Sequence, residues 1–430
     1  MSEITHDPSE YIRGIQQILI SDKKRIGFLF GAGSSLARKN QRTLTVPAIG
    51  EMTKNIVQEI SKTKKFKIAL DEIKTELGEE NFNIETILSN LEQKAKFIST
   101  GTLNSLKEED FEELIIQIKQ NVRKIVSVHL LELCDIDTKK VIHKLVSKDI
   151  VEHLAHNDFA NWIGQAERKY PVEIFTTNYD FLFELGLEAK EIPYYDGFCG
   201  SLRPFFNPES VEDTEFLSNQ TKLWKIHGSL GWHYDKDTDR ILRVNPDDED
   251  ILIYPSTLKY KDSKKQPFES LLDRLTHFVK TDDAILITCG YSWGDEHINS
   301  RILSALKTNT TSHVIGLIHG DIEENSNTVK LALDNPKISI YGYKHSVIGC
   351  KYGPWKLKSE PSTDDTVNLN LYFDEDGPTF ETEKTGEEKT GGENWTGYGG
   401  FILGDFGKLV VFLNSMINEN VISQIGRNAK

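Results

Sequence analysis

The stretch RIGFLFGAGSSLA, residues 25–37, joins an apolar run to a turn of small residues, and it decides which fold the chain can adopt. The apolar run predicts a buried β-strand, and Gly31, Ala32 and Gly33 predict a tight turn into a helix. Such a turn directs backbone N–H groups at a diphosphate, because glycine lets a ligand approach the backbone. Leu36 replaces the third glycine of the dinucleotide fingerprint, and no lysine follows, which disfavours a nucleoside-triphosphate loop. A turn without any ligand is the alternative.

The composition disfavours several classes of protein. The chain has 66 acidic against 51 basic side chains and a net charge of -15, whereas a free-standing nucleic-acid binder needs a basic surface. The first residues show no basic leader with an apolar segment, and no stretch of about 18 apolar residues occurs, so we predict a cytoplasmic protein. The four cysteines are scattered without a CxxC pair, which predicts buried free thiols rather than a zinc site.

Strand-like and helical patterns alternate along most of the chain. Apolar strand patterns recur in VEIFTTN, KLWKIHGS, ILIYPS, AILITCGYS and HVIGLIHG, and several are followed by helical stretches such as FESLLDRLTHFVK. Strands that alternate with helices favour a parallel sheet covered on both faces. The sequence therefore predicts an α/β fold with a doubly wound parallel sheet.

Two changes in pattern divide the chain. Between about 51 and 162 the apolar residues recur with helical spacing, as in NIETILSNLEQ and DFEELIIQIKQNVRKIVSVHLLELC, and predict a large helical insertion. Beyond about residue 360 the sequence becomes acidic and rich in Gly, Thr and Glu. We predict one domain over 1–360, with its core at about 9–50 and 163–350, and a small acidic C-terminal extension over 361–430.

Two of the strand patterns end in polar residues suited to chemistry. EIFTTNYD places Thr177, Asn178 and Asp180 after one strand, and LWKIHGSLGW places His227 before a Gly-Ser turn. The carboxyl ends of parallel strands form the ligand crevice of an open α/β sheet, and a histidine there can act as a general base. Structural roles are the alternatives: Asn178 can cap the following helix, and a single histidine is more often structural than catalytic.

Another strand pattern ends in CGYSWGDEHIN, where Gly290, Tyr291 and Ser292 precede Asp295. The Asp-x-His spacing beside a glutamate matches no closed metal site and no cysteine pair accompanies it, so we predict no metal. Acidic residues in the first turn of a helix explain Asp295 without a ligand.

In chain order GAGSS, TTNYD, KIHGSL and CGYSWGDEHIN resemble the signature motifs of the sirtuin superfamily, whose members bind NAD on a Rossmann-like sheet. This resemblance implies NAD as the substrate. By this resemblance, the residues of the GAGS turn (31–34) match the diphosphate contacts, and Ser292 matches a contact to phosphate and ribose. The binding residues that the resemblance implies are Gly31, Ala32, Gly33, Ser34, Thr177, Gly290, Tyr291, Ser292 and Asp295.

The same resemblance implies a catalytic pair, Asn178 and His227, with Asp180 as the acid that meets the nicotinamide carboxamide. Cleavage of the nicotinamide–ribose bond passes through an oxocarbenium-like state and needs a positioned water and a proton acceptor. An amide can orient the water and the ribose hydroxyls, and a histidine can accept the proton. Nicotinamide leaves as a neutral molecule, so these three side chains are chemically sufficient for hydrolysis.

The chain departs from the deacetylating sirtuins, because it lacks both their CxxC zinc module and their Gly-Ile-Pro-Asp-Phe-Arg loop. It is more similar to bacterial sirtuin-like proteins of phage-defence systems, which carry a helical module in place of the zinc module. The NIETILSNLEQ stretch resembles an acidic segment common in those proteins. This similarity implies an NAD hydrolase (NADase) that acts as the effector of antiviral, abortive-infection defence. It also implies a homo-oligomer and a HerA-type ATPase partner.

Two other functions stay open. In one, the sheet holds NAD or ADP-ribose as a sensing ligand of a defence complex, without turnover. In the other, weaker alternative, the chain is a nucleic-acid-processing subunit that uses the basic runs KTKKFK and YKDSKK as contacts. Solvated helix faces explain those runs better.

Overall fold

The computed structural model of the chain describes residues 4–98, 100–134, 141–166, 168–235, 237–244, 251–253, 266–362, 367–377, 379–380 and 393–417. Its α-helices, in chain order, are α1 (Pro8–Ile20), α2 (Ala32–Leu36), α3 (Ile49–Ile60), α4 (Lys64–Leu77), α5 (Ile84–Phe97), α6 (Glu108–Val126), α7 (Lys148–Val151), α8 (Ala155–Gln165), α9 (Leu182–Ala189), α10 (Pro208–Glu212), α11 (Phe268–Lys280), α12 (Glu296–Thr308), α13 (Asn327–Leu333) and α14 (Phe406–Ser415).

The β-strands, in chain order, are β1 (Arg25–Phe30), β2 (Leu130–Cys134), β3 (Val141–Leu145), β4 (Glu173–Thr176), β5 (Tyr194–Tyr195), β6 (Phe198–Cys199), β7 (Phe205–Phe206), β8 (Thr221–Lys225), β9 (Gly228–Leu230), β10 (Trp232–Asp235), β11 (Arg240–Arg243), β12 (Ile251–Ile253), β13 (Ala284–Cys289), β14 (His313–Leu317), β15 (Ile338–Tyr341), β16 (His345–Ile348), β17 (Lys351–Pro354), β18 (Phe373–Glu375), β19 (Thr379–Phe380), β20 (Glu393–Asn394) and β21 (Gly399–Phe401).

Within the described part of the chain, the main sheet has nine strands in the order β17-β16-β15-β14-β13-β1-β4-β8-β5. β1 pairs in parallel with β13, β13 with β14 and β14 with β15, and an antiparallel turn adds β16 and β17 at one edge. The strand order reverses beside β1, and an open α/β sheet binds ligands at the carboxyl ends of strands at such a reversal. The prediction of an α/β fold with a Rossmann-like, mostly parallel sheet is confirmed.

The chain divides into two compact units. Unit 1 comprises Met1–Ala37, Asp158–Glu173 and Thr276–Lys430. Its strands β1, β13, β14 and β15 are buried along almost their whole length, as expected when helices cover both faces of a parallel sheet. This burial explains why these strands read as continuous apolar runs rather than as alternating patterns.

Aromatic side chains fill the core of unit 1. The ring of Phe30 lies 5.2 Å, centroid to centroid, from that of Phe159 and 5.0 Å from that of Phe406. Phe401 stacks on Trp355 at 5.0 Å. Both Phe401 and Phe406 belong to the segment predicted as an acidic extension, so the described part of that segment contributes to the core instead of lying apart from it. The domain limits proposed from the sequence stay a prediction.

Unit 2 comprises Arg38–Asn157 and Ile174–Leu275. Helices α3 to α6 pack around one apolar cluster, which includes Ile56, Leu70, Ile87 and Leu114. The predicted helical pattern is therefore present, but its continuation past Val126 was wrong. Leu130–Cys134 is strand β2, which pairs antiparallel with β3. A short apolar run fits a strand as well as a helix, so periodicity alone does not separate the two.

The described cysteines Cys199, Cys289 and Cys350 are free thiols. Only Cys289 is buried, while Cys199 and Cys350 are half-buried, so the prediction of buried thiols was wrong for those two. Among the helices that the structure describes, none is both long and apolar enough to cross a membrane.

Candidate functional site

In unit 1 the turns after β1 and β13 pack against each other through their backbones. A Cβ added to Gly33 would lie 2.5 Å from the Cα of Gly290, and one added to Gly31 would lie 2.5 Å from the carbonyl oxygen of Gly290. Gly290 itself has a φ of +65°, and its own Cβ would lie 2.5 Å from the nitrogen of Ser34. Glycine is thus required at these positions by the contact between the two turns, whether or not a ligand is present.

Hydrogen bonds within the protein use several donors of the first turn. The N–H of Gly33 donates to the carbonyl of Gly290 at 3.0 Å, and the N–H of Ser34 donates to the carbonyl of Gly31 at 3.0 Å. The buried hydroxyl of Ser34 donates to that same carbonyl at 2.8 Å. These bonds fix the turn that begins α2 at Ala32. The diphosphate contacts implied for Gly31, Ala32, Gly33 and Ser34 stay a prediction.

The loop after β13 is held by a buried network. The hydroxyl of Tyr291 donates to Oδ1 of Asn299 at 2.9 Å, and Nδ2 of Asn299 donates to the carbonyl of Trp293 at 2.7 Å. Burial, together with the nearby Asp295, raises the pKa of Tyr291 above its usual range. Asp295 caps α12, since its Oδ1 accepts from the N–H groups of His297 and Ile298. Tyr291 and Asp295 therefore shape the loop.

Ser292 lies at the exposed part of this loop, unlike its two predicted neighbours. Its hydroxyl accepts from the N–H of Gly294 at 3.4 Å. Among the predicted binding residues of this loop, Ser292 thus has an exposed side chain that a ligand can reach. Its contact to phosphate and ribose stays a prediction.

In unit 2 the segments that carry Asn178 and His227 are joined by backbone hydrogen bonds. The N–H of Ile226 donates to the carbonyl of Thr176 at 2.9 Å, and that of Leu230 donates to the carbonyl of Tyr179 at 3.1 Å. These bonds flank Asn178 on one segment and His227 on the other. Both side chains are buried, with 8% and 9% of each residue exposed. The structure thus brings the predicted pair onto neighbouring segments, and Thr177 lies half-buried beside them.

Asn178 does not cap the following helix, so that structural alternative was wrong. Helix α9 has Phe181 at its N-cap position, with no side-chain cap. Asp180 instead accepts the N–H of Leu182 at its Oδ1, at 3.1 Å. The amide of Asn178 is therefore not required for the helix start.

A buried lysine fixes the turn around Asp180. Nζ of Lys225 donates to the carbonyls of Tyr179 and Asp180, and it lies 2.9 Å from Oε1 of Glu184. Burial raises the pKa of Glu184, and the neighbouring Lys225 acts in the opposite direction. A conformation that separated Lys225 from Glu184 would leave an uncompensated buried charge. The ion pair therefore holds the turn in one conformation.

Glu85, at the start of α5, reaches His227, and sequence reasoning missed it. Its Oε1 lies 3.6 Å from Nδ1 of His227, and it accepts a hydrogen bond from the hydroxyl of Tyr179. The apolar cluster of unit 2 explains the approach, because it includes Ile84 and Leu88 of α5 together with Tyr179. The available signal was the acidic residue in the NIETILSNLEQ stretch, whose position in space a single sequence does not give.

One buried hydroxyl lies two positions after His227 in the chain. Ser229 has no exposed surface, and within the described residues its Oγ has no hydrogen-bond partner. Buried polar groups are nearly always hydrogen-bonded, so this hydroxyl is an exception among the buried groups of unit 2. Over the described ranges, no group of three or more His, Cys, Asp or Glu side chains is arranged to hold a metal ion.

Comparison with known proteins matches part of the chain to a family model. Residues 172–338 match the family model described as "SIR2-like domain". This range contains Asn178, His227 and Ser292, whereas Gly31 and Glu85 lie outside it. No curated protein matches the chain. The family match supports a relationship to the sirtuin-like superfamily and, in general terms, an activity related to NAD.

Proposed function

We propose that the protein is an NAD glycohydrolase that converts NAD into ADP-ribose and nicotinamide. The match to a SIR2-like domain supports the part of this proposal that concerns NAD. The observation that carries the hydrolytic part is the placement of buried Asn178 and His227 on hydrogen-bonded segments, with the Glu85 carboxylate beside the imidazole. Such a set supplies an amide for orientation and a supported proton acceptor.

In the proposed reaction the bond between C1′ of the ribose and the nicotinamide nitrogen breaks. Its electron pair goes to the ring nitrogen, so nicotinamide leaves neutral and needs no general acid. The amide of Asn178 orients the attacking water and a ribose hydroxyl, and the water oxygen bonds to C1′. His227 accepts the proton that the water releases, and this proton later passes to solvent.

Asp180 completes the proposed set. The resemblance assigns it the nicotinamide carboxamide, and the residue is 3% exposed. Its hydrogen bond from the N–H of Leu182 holds the carboxylate in place beside Asn178 in the chain. We propose that Asp180 holds the nicotinamide end, while Asn178 and His227 act at the ribose.

The test is NAD consumption by the purified protein, assayed alone and with its candidate activating partner. We expect Asn178→Ala and His227→Ala to abolish NAD loss while circular dichroism and melting temperature stay close to those of the wild type. His277→Ala, at an exposed histidine of α11, is the matched control and keeps full activity. Unchanged turnover in both site variants contradicts the assignment. Tight ADP-ribose binding without NAD loss indicates the sensing function instead.

We further propose a cytoplasmic effector of antiviral defence that works as a homo-oligomer with a HerA-type ATPase. The resemblance to bacterial phage-defence proteins supports this proposal. NAD loss should then increase when the protein is mixed with an ATPase encoded beside its gene. An equal rate of NAD loss with and without that ATPase contradicts the partnership. The hydrolase assignment is tested separately, by the Asn178 and His227 variants.

A further inference from the structure

Glu85 lies outside the residues that the family model matches, and the steps of the proposed reaction give its carboxylate no role of its own. Its side chain is 17% exposed, and one oxygen faces both Nδ1 of His227 and the hydroxyl of Tyr179. The three residues come from distant parts of the sequence. Their convergence requires the helical cluster of α3 to α6 to pack against the segment that carries Tyr179.

Helix capping does not account for this carboxylate. Asn83 and Thr86 form a reciprocal capping box at the start of α5, in which Oδ1 of Asn83 accepts from the N–H groups of Glu85 and Thr86. The backbone donors of the first turn are therefore served by Asn83. An acidic side chain near a helix N-terminus interacts favourably with the helix dipole, but an exposed side chain would do so equally well. The Glu85 side chain points instead to a buried phenol and a buried imidazole.

We propose that Glu85 is a positioning residue for His227, an inference that rests on the proposed hydrolase function. The carboxylate favours the tautomer with the proton on Nδ1, in which Nε2 is the unprotonated, basic nitrogen that can take a proton from water. After that transfer, the negative charge of Glu85 stabilises the imidazolium. A separation of 3.6 Å suits this role, because catalytic hydrogen bonds are often longer before substrate binds.

Tyr179 completes the arrangement. Its hydroxyl donates to the oxygen of Glu85 that faces His227, and its backbone carbonyl accepts from Leu230 and from Nζ of Lys225. The phenol therefore fixes the carboxylate from a turn that is itself immobilised. Carboxylates that orient a metal-bound histidine contribute about 10–100-fold when removed, and we expect a similar range for Glu85.

The kinetic test compares Glu85→Gln with the wild type. We expect kcat for NAD hydrolysis to fall by about 10–100-fold with KM nearly unchanged, and Glu85→Asp to recover part of the loss. Tyr179→Phe should lower kcat less. Glu92→Gln is the matched control: it lies on the same helix and removes the carboxylate that pairs with Lys119 at 2.8 Å on the surface. Equal kcat in Glu85→Gln and wild type overturns the proposal.

One further measurement separates this inference from the hydrolase proposal. Independently of activity, the ¹⁵N NMR shifts of His227 should report the Nδ1–H tautomer in the wild type and a shift towards Nε2–H in Glu85→Gln. An unchanged tautomer overturns the positioning role even if NAD is hydrolysed. The predicted tautomer change without any NAD loss overturns only the hydrolase function.

Discussion

Gly33 and Gly290 illustrate how the fold alone can require single residues. Their backbones touch so closely that a Cβ on Gly33 would lie 2.5 Å from the Cα of Gly290. The neighbouring atoms belong to backbone, so they cannot move aside as the end of a flexible side chain can. We expect Gly33→Ala to destabilise the protein by about 1–3 kcal/mol through overpacking, measured by thermal or chemical unfolding.

Gly14→Ala is the matched control for that measurement. Gly14 lies inside α1 in the same unit, and no atom comes within 4 Å of its added Cβ. Alanine favours a helix over glycine by up to about 1 kcal/mol, so this variant should be neutral or more stable. If both variants unfold at the same temperature, the contact between the two turns is not what requires Gly33.

The candidate catalytic residues differ in how far sequence could identify them. Asn178 and His227 each follow an apolar strand pattern, so their place at strand ends was open to prediction. Glu85 lies in a helix 142 positions before His227, and no local pattern links the two. Its position depends on how α5 packs, which is a property of the apolar cluster as a whole.

At the level of elements, α14 joins the end of the described chain to the core of unit 1. Phe406, at its first turn, packs its ring 5.0 Å from that of Phe30 and is 1% exposed. Asn414 donates to the carbonyl of Asp158, which ties the other end of the helix to the same unit. We expect Phe406→Ala to lower the free energy of unfolding by about 3–5 kcal/mol, which is measured as a marked fall in melting temperature.

Lys408→Ala tests whether that loss is specific to the buried face of α14. Lys408 lies on the same helix and is exposed, so its replacement should change stability by no more than about 0.5 kcal/mol. A Phe406→Ala protein with wild-type melting temperature would show that α14 is dispensable for the core.

The helical part of unit 2 shows a different relation between element and site. Its helices were predictable from periodicity, as in the NIETILSNLEQ stretch that forms α5. The strand pair β2 and β3, which interrupts the predicted helical segment, was not predictable in this way. Short apolar stretches take their conformation from the partners they find, and pairing with β3 decides the outcome for β2.

At the scale of the whole molecule, acid stability depends on a buried histidine. Burial lowers the pKa of His156 from 6.5 to about 3, and its ring packs at 4.6 Å from that of Phe183. The folded protein keeps this ring neutral, while the unfolded chain takes up a proton below about pH 6.5. The contribution of the neutral His156 ring to the free energy of unfolding is therefore fully present above about pH 6.5. It falls on acidification, by about 2 kcal/mol at pH 5.

His156→Gln removes this titration. We expect the variant to lose less stability than the wild type between pH 7.5 and pH 5, measured as the change in unfolding free energy. The comparison uses the pH dependence, so a constant loss from altered packing does not affect it. His277→Gln, at an exposed histidine, should keep the wild-type dependence. Parallel curves for all three proteins would rule out His156 as a source of acid sensitivity.

The sequence by itself determined the α/β class, the buried parallel strands and the strand ends at which Asn178, His227 and Gly290 lie. Each of these follows from local patterns, because strand burial and turn chemistry are recorded in neighbouring residues. Only the tertiary structure decided that Phe401 and Phe406 belong to a core, that Gly33 is needed for backbone contact, and that Glu85 faces His227. Those features are contacts between residues far apart in the chain, and one sequence does not specify which distant side chains meet when the apolar clusters pack.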